Sequence, residues 1–292
     1  MSAVLFSLFR TLVQACSGLR LRRFAPLDRA YRVLFDRLRP NVAWVHGHRL
    51  HVDPNDRVVA QSLLLHGTWE PFETELFQQA LEPGMVVFCL GAHIGYYALL
   101  AARRVGQGGR VYAFEPGPDS FRLLVKNVDA NGYRNVVAVP KAVGNVTGRG
   151  RLYLHTSNSG DHRLYPSGEP REFVDVDVVR LDDWLGDRAA AADLIQMDLQ
   201  GAEMLALEGM EDLVRRSPRA RIFTELWPEG LRLAGRSAEE FLGRVTALGF
   251  RVHVIDEARR RLVPLAGAGE LDRYRDVLGI PNYGLNLLCT RP

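Results

Sequence analysis

The sequence predicts a doubly wound α/β fold, in which helices cover both faces of a mostly parallel sheet. Three observations support this prediction. Apolar runs of strand length alternate with helical segments along most of the chain, as expected of parallel strands joined by crossover helices. The run at 85–90 is apolar throughout, which is typical of a strand buried on both faces. Glycines follow this run directly, at the sheet edge where such folds bind ligands.

The regular part of the chain extends from residue 67 to residue 292, and we predict that it forms one domain. Its elements in chain order are helices at 72–81, 94–104, 119–131, 202–207 and 238–248, and strands at 85–90, 110–115, 135–139, 194–198, 221–226, 251–255 and 283–290. Two more strand-like stretches, 151–154 and 173–178, interrupt the alternation and flank a polar loop. They predict an inserted hairpin at about 150–178.

Residues 1–66 are predicted to form an extension with one or two helices and a short strand near 44–52. Apolar residues recur at helical spacing over 3–19, which predicts an amphipathic helix. This stretch is shorter than the ~20 apolar residues of a membrane span, and Arg10 interrupts it. We expect the helix to pack on the domain or on a second copy, which would give a homodimer. Contact with a membrane surface, helped by arginines within 20–23, is the less favoured alternative.

Composition restricts the class of protein. The 292 residues include 37 basic and 34 acidic ones, so the charge is nearly balanced and a nucleic acid is not expected as the main partner. The three cysteines, Cys16, Cys89 and Cys289, are too far apart in sequence to indicate a disulfide framework or a metal site. We therefore expect a cytoplasmic protein that acts on a small molecule.

A glycine loop carries the first functional signal. It runs from Gly91 to Gly95 between a predicted strand and a predicted helix, where backbone N–H groups can approach a ligand closely. Glu115 ends the next strand and can accept hydrogen bonds from both ribose hydroxyls. His93 and Tyr96 break the G-x-G-x-x-G pattern of dinucleotide sites. The loop therefore favours S-adenosylmethionine over a nicotinamide or flavin dinucleotide.

Several motifs, in this order, resemble those of the FkbM-type methyltransferase family. Gly67–Pro71 resembles its entry motif, and Val86–Tyr97 its cofactor loop, D-x-G-A-N-x-G. Val111–Pro116 is similar to its ribose-binding strand, and Lys141–Val143 to its adenine segment. Gln196–Glu203 resembles its signature K-I-D-V-E-G-A-E. The resemblance implies a Rossmann-like class I methyltransferase sheet of seven strands, of which the last is antiparallel.

The resemblance also implies a set of cofactor-binding residues along these motifs. They are Glu70, Cys89, Gly91, Ala92, His93, Gly95, Tyr96, Tyr97, Glu115, Pro116, Lys141, Ala142 and Asp198. Three of the motif residues depart from the family pattern: Cys89 replaces Asp, His93 replaces Asn, and Gln200 replaces Glu. These departures leave open a protein that binds the cofactor without turnover.

Methyl transfer to an alcohol requires a base within hydrogen-bond reach of the acceptor. Asp198 ends the central strand, and Glu203 and Glu225 lie near the same sheet edge, so we predict that all three are catalytic. Three carboxylates could also bind Mg²⁺. No tight ligand spacing is present, so a metal is not favoured. Zinc at the three histidines of 46–51 is not favoured either, because no thiol or carboxylate lies near them in sequence.

The polar loop at 157–163 is the remaining candidate, because loops on a rigid scaffold often carry binding residues. We predict that His162 acts as a base and that Asn158, Arg163 and Gln200 bind the acceptor. The function that follows is O-methylation of a hydroxyl on a sugar or secondary metabolite. A nitrogen or carbon acceptor remains an alternative, as does a cofactor-binding pseudo-enzyme.

Overall fold

The structure is a computed structural model that describes residues 2–15, 24–166, 168–186, 188–189, 191–278 and 284–291. The strands are β1 Val42–Val45, β2 His48–His51, β3 Val86–Leu90, β4 Arg110–Phe114, β5 Val136–Val139, β6 Ala142–Val143, β7 Gly148–Tyr153, β8 Phe173–Val179, β9 Leu194–Met197, β10 Arg221–Leu226, β11 Arg251–Asp256, β12 Arg261–Leu265 and β13 Leu285–Thr290. The helices are α1 Ser2–Ala15, α2 Ala25–Leu38, α3 Val59–His66, α4 Pro71–Gln79, α5 Tyr96–Val105, α6 Pro118–Ala130, α7 Leu181–Leu185, α8 Glu203–Gly209, α9 Glu211–Arg215, α10 Pro228–Leu233, α11 Ala238–Ala247 and α12 Arg275–Leu278.

The main sheet has the strand order β12-β11-β13-β10-β9-β3-β4-β5. Within this sheet, the neighbouring strands β10, β9, β3, β4 and β5 pair in parallel. Strand β13 is antiparallel to both of its neighbours, β10 and β11. The predicted fold class is therefore confirmed, together with the antiparallel last strand. The predicted start of that strand, Tyr283, lies outside the described residues.

The strand count of seven was wrong, because the described sheet has eight strands. The additional strand, β12, pairs antiparallel with β11 at the edge of the sheet. It is short and contains Pro264, a residue that argues against a central strand but is tolerated at an edge.

The central strand β3 shows why the fold is stable. Side chains alternate between the two faces of a strand, so Val87 and Cys89 enter one apolar core and Phe88 and Leu90 the other. The first core contains residues of α4, α5 and α6, and the second contains residues of α7, α8, α9 and α11. Burial on both faces fixes the carboxyl end of β3, from which the glycine loop emerges.

The extension is more structured than its sequence predicted. The predicted helix at 3–19 is described as α1, while 16–23 lies outside the described residues. The predicted strand near 44–52 is a hairpin of β1 and β2, and α3 had not been predicted. Buried side chains of the extension join those of α4 and α5 in one core. A domain boundary near residue 66 stays a prediction.

The predicted inserted strands pair with each other, since β7 lies antiparallel to β8. Strand β6 adds to β8 in parallel, which makes a separate three-stranded sheet. The loop between β7 and β8 returns towards the carboxyl edge of the main sheet. It therefore supplies side chains to the cavity described below.

Helix α1 buries one face and exposes the other. Phe6 and Phe9 pack against Tyr31 and Phe35 of α2, with ring centroids 5.7–6.4 Å apart. The outer face carries large apolar side chains that are 45–65% exposed, namely Val4, Leu5, Leu8 and Leu12. No helix within the described ranges is both long enough and apolar enough to cross a membrane.

We expect this outer face of α1 to pack against a second copy of the chain. The double variant Leu8→Gln/Leu12→Gln should then convert a dimer into a monomer, measured by light scattering after gel filtration. Its melting temperature as a monomer should change little, because the two side chains are 65% and 62% exposed. As a control, Phe9→Gln alters a side chain only 9% exposed and should destabilise the fold. A wild-type chain that is monomeric at high concentration would refute the expectation.

Candidate functional site

A cavity of about 1030 Å³ opens at the carboxyl ends of β3, β4, β9 and β10. Most of the predicted site residues line it, namely Glu70, Gly91, Ala92, His93, Tyr96, Tyr97, Glu115, Pro116, Lys141, Ala142, Asn158, His162, Asp198, Gln200 and Glu225. Four predicted residues are not on its wall: Cys89, Gly95, Arg163 and Glu203. The cavity thus brings most of the predicted residues together and leaves four of them out.

The glycine loop requires glycine for steric reasons. Gly91 has φ +76°, and a Cβ there would collide with the backbone carbonyl oxygen of Asp198. Gly95 has φ +95° and precedes α5, where a Cβ would lie 2.8 Å from a methyl carbon of Leu124. Gly95 therefore shapes the loop without lining the cavity. His93 has φ +50°, a left-handed conformation that asparagine tolerates better than histidine.

Glu115 is held by two backbone amides. The N–H of His93 donates to Oε2 at 2.7 Å, and the N–H of Gly117 donates to Oε1 at 2.8 Å. Burial raises the pKa of Glu115 to about 7, although these hydrogen bonds oppose the shift. An ionised carboxylate has about four lone-pair sites, so each oxygen can still accept a hydroxyl of a ligand.

Cys89 is a correction to the predicted cofactor site. Its side chain is fully buried in the core and does not line the cavity. The alternation along β3 places residue 89 in the core that contains residues of α4, α5 and α6. Burial raises the pKa of the thiol to about 12, so it is not an anionic partner for a cofactor.

Glu70 lines the same cavity and is held by two side-chain donors. Oε1 accepts a hydrogen bond from Asn286 at 2.7 Å, and Oε2 accepts one from the Tyr97 hydroxyl at 3.3 Å. Its backbone has φ +40°. Burial raises the pKa of Glu70 to about 7, and the charges of Asp198 and Glu257 add to the effect. A strained non-glycine backbone at a cavity wall is typical of functional sites.

The carboxyl edge of β9 and β10 carries Asp198 and Glu225. The Gln200 amide donates to Asp198 Oδ1 at 2.6 Å and to Glu225 Oε2 at 3.3 Å, so it bridges the two carboxyl groups. Burial raises the pKa of both, and the charges of Asp198 and Glu203 raise that of Glu225 further. The edge therefore carries two bridged carboxyl groups whose pKa values are raised.

Glu203 has another role. Oε1 accepts the N–H groups of Leu199 and Gly201 at 2.8 and 3.2 Å, which fixes the turn before α8. Burial raises its pKa to about 7. One oxygen each of Asp198, Glu203 and Glu225 lies within 4.8 Å of the others, a spacing that one cation could bridge. The backbone contacts make Glu203 chiefly a support for the turn.

His162 lies on the cavity wall, in the loop of the insertion. Its Nδ1 accepts the N–H of His155 at 3.1 Å, so a neutral ring carries its hydrogen on Nε2. Burial lowers its pKa to about 4. In this geometry His162 donates rather than accepts, which does not support the predicted role as a base. Asn158 of the same loop accepts the N–H of Gly160 at 3.2 Å.

Arg163 is a second correction, because it does not line the cavity. Its guanidinium donates to both oxygens of Asp161 at 2.6 and 3.0 Å and lies 4.6 Å from the ring centroid of Trp227. Arg171 also contacts Asp161, at 2.9 Å. These contacts, all nearly buried, make Arg163 an anchor of the insertion on the main domain.

Lys141 and Tyr96, two other predicted cofactor contacts, have polar partners within the protein. Lys141 Nζ lies 2.8 Å from an oxygen of Asp177. The Tyr96 hydroxyl is 2.9 Å from that of Thr74. Near the histidines of the extension, the His48 ring is 2.6 Å from the Tyr133 hydroxyl.

Sequence reasoning missed several contributors to the cavity. Val58, Val59 and Ser62 of the extension line it, and Ser159 and Asn286 line it from the insertion and from β13. Only Ser159 had a signal, because it belongs to the polar loop already identified. The others depend on contacts between distant segments, which no local pattern reveals.

Comparison with known proteins places the chain among methyltransferases. A family model described as methyltransferase FkbM domain matches residues 90–252, more than half of the chain. Methyltransferase 1 of Beauveria bassiana is 27% identical over 142 residues, which covers 42% of this chain and 57% of that protein. The 31-O-demethyl-FK506 methyltransferase FkbM of Streptomyces tacrolimicus is 30% identical over 161 residues, with coverages of 45% and 62%. The chain thus covers less than two thirds of either relative.

A solved structure of a SAM-dependent methyltransferase from Aquifex aeolicus is 18% identical, with a TM-score of 0.40. The similarity covers 79% of this chain and 93% of that one. A similarity at this level carries no argument about function.

The buried carboxyl groups predict how stability depends on pH. Glu70, Glu115 and Glu203 have pKa values of about 7, against an ordinary value of 4.5. Between these values the folded state binds more protons than the unfolded state, so the free energy of unfolding falls as pH rises through this window and levels off above it. Calorimetric melting should give a lower Tm at pH 8 than at pH 5.5.

Two variants test this origin of the pH dependence. Glu115→Gln should flatten the profile, whereas Glu239→Gln, which alters an exposed carboxyl on α11, should leave it unchanged. A Glu115→Gln profile identical to that of the wild type would contradict the raised pKa of Glu115.

Proposed function

The chain belongs to the FkbM family of methyltransferases, and on this premise we propose that it transfers the methyl group of S-adenosylmethionine to a hydroxyl of a small molecule. A sugar or a secondary metabolite is the proposed acceptor. In this reaction the bond between methyl carbon and sulfur breaks with its electron pair on sulfur. The acceptor oxygen forms the new bond and releases its proton to a base.

Glu115 beside the glycine loop is the observation that carries the proposal. Two amides hold its carboxylate at the cavity wall, with lone pairs left for a ribose diol. The missing Cβ at Gly91 lets the loop pack against the Asp198 carbonyl, and the left-handed backbone at His93 directs its N–H to Glu115. This pair of features suits a nucleoside without a pyrophosphate.

The charge of the cavity supports the same cofactor. S-adenosylmethionine carries a sulfonium and an ammonium group, both cationic. Glu70, Asp198 and Glu225 line the cavity with raised pKa values, so a cation nearby would favour their ionised forms. An acidic cavity wall is thus complementary to the cofactor.

An alcohol acceptor needs a base, and Asp198 is the proposed one. It ends β9 on the cavity wall, and burial raises its pKa towards the range in which a carboxylate accepts a proton effectively. Gln200 orients its carboxyl group through a hydrogen bond to Oδ1. The Streptomyces relative is named for an O-demethyl compound, which agrees with an oxygen acceptor.

The proposal extends to the setting in which the protein acts. Exposed apolar side chains on α1 support a homodimer. Cys89 and Cys289 are free, buried thiols, which supports a reducing compartment such as the cytoplasm.

Removal of the Glu115 carboxylate tests the cofactor assignment. In Glu115→Ala the affinity for S-adenosylmethionine should fall at least about tenfold, because charge-assisted hydrogen bonds to the ribose are lost. Titration calorimetry measures this, with Glu239→Ala as the control on the exposed side of α11. Unchanged affinity in a folded Glu115→Ala variant would rule out this ribose site.

Asp198→Asn tests the chemical step. Loss of the base should reduce methyl transfer about 10²-fold or more, while cofactor affinity changes less than in Glu115→Ala. Transfer of radiolabel from methyl-labelled cofactor to a panel of alcohols and amines measures the rate. Full turnover in Asp198→Asn would exclude Asp198 as the base. Transfer to amines alone would show that the acceptor atom is nitrogen and not oxygen.

A further inference from the structure

Three segments that are distant in sequence meet at His93. His93 Nε2 lies 2.7 Å from the Ser159 hydroxyl, in the loop of the insertion. That hydroxyl donates to Oδ2 of Asp56, in the extension, at 2.8 Å. Asp56 is only 2% exposed, and its other oxygen accepts the N–H groups of Val58 and Val59. The cofactor loop is thereby connected to both accessory segments.

The order of donors in this chain fixes the tautomer of His93. An ionised carboxylate only accepts hydrogen bonds, so the single hydroxyl proton of Ser159 points to Asp56. The Ser159 oxygen then accepts from the ring, which requires a hydrogen on Nε2 of His93. A neutral imidazole with its hydrogen on Nε2 has an unshared electron pair on Nδ1.

The surroundings of His93 keep the ring neutral and leave Nδ1 available. Burial lowers its pKa, although the charges of Asp56 and Asp53 act in the opposite direction. Among the described residues, no hydrogen-bond partner contacts Nδ1, and the side chain lines the cavity. The backbone N–H of the same residue binds Glu115, so the ring lies beside the proposed ribose site.

We propose that Nδ1 of His93 accepts a hydrogen bond from the bound cofactor, and that Ser159 and Asp56 are positioning residues that fix the ring for this role. The donor is an O–H of the ribose or an N–H of the ammonium group. This inference rests on the proposed function, because it concerns the same cofactor site.

The neighbouring His162 presents a hydrogen-bond donor, whereas His93 presents an acceptor. Its Nδ1 accepts the N–H of His155, so it presents Nε2–H as a donor. The asparagine usual in the family at position 93 would carry both a donor and an acceptor in one amide. His93 instead offers an acceptor alone, and backbone strain at φ +50° accompanies the exchange.

The tautomer is measured directly by long-range ¹H–¹⁵N spectra of protein labelled with ¹⁵N-histidine. The His93 resonances, assigned with His93→Asn, should show a protonated Nε2 and an unprotonated Nδ1 in the ligand-free protein. Ser159→Ala should populate both tautomers, while Ser157→Ala, an exposed residue of the same loop, should leave the spectrum unchanged. A protonated Nδ1 in the wild type would overturn the inference.

Calorimetry with two ligands identifies the donor. His93→Gly, which suits a left-handed backbone, should weaken S-adenosylhomocysteine binding about three- to tenfold, as expected for one hydrogen bond. His93→Asn should retain most of the affinity, because its amide oxygen also accepts. If the ribose is the donor, His93→Gly should lower the affinity for 5′-methylthioadenosine by the same factor. If the ammonium group is the donor, only the affinity for S-adenosylhomocysteine should fall.

The binding results distinguish a failure of this inference from a failure of the proposed function. If the wild type binds the ligand and His93→Gly binds it with the same affinity, the inference is overturned and the proposed function stands. A wild type that binds neither S-adenosylhomocysteine nor S-adenosylmethionine would overturn both.

Discussion

The close approach of Gly91 to the carbonyl of Asp198 is the constraint on which the site depends. It is possible because β3 and β9 are adjacent parallel strands whose carboxyl ends meet, and because residue 91 has no side chain. The contact brings the cofactor loop against the turn that carries Asp198 and Gln200. Any larger residue at position 91 would separate these two segments and widen the cavity between them.

Carboxyl groups surround this contact, and the protein holds several of them with neutral donors. Backbone amides bind Glu115, Glu203 and Glu257, and side-chain amides bind Glu70 and Asp198. Neutral donors orient a carboxylate without cancelling its charge, so capacity for a cationic ligand remains. Burial opposes these donors, raises the pKa values of Glu70, Glu115 and Glu203, and makes the ligand-free fold sensitive to alkaline pH.

Local patterns predicted the parts of the structure that depend on local physics. The apolar run of β3, the glycine at position 91 and the acidic end of β4 each have one dominant explanation, and all three lie where expected. Polar residues within motifs were less informative. Glu203 and Arg163 had the same signal as site residues, but one fixes a turn and the other anchors the insertion.

Contacts between distant segments could not be read from the sequence. Asp56 meets Ser159 across 103 positions, and Asn286 meets Glu70 across 216. Nothing in the turn around Asp56 distinguishes it from an ordinary residue before a helix. The strand β12 was missed for another reason, because Pro264 argues against a strand.

The walls of the cavity have different origins along the chain, and this has an evolutionary consequence. The sheet edge supplies the glycine loop and Glu115, whereas Val58, Val59 and Ser62 come from the extension and Asn158 to His162 from the insertion. Exchange of these accessory segments between paralogues would remodel the distal wall, and the nucleoside end would stay intact as long as Asp56 and Ser159 are kept. Such modular construction lets substrate range diversify by recombination of segments, without a new invention of the cofactor site.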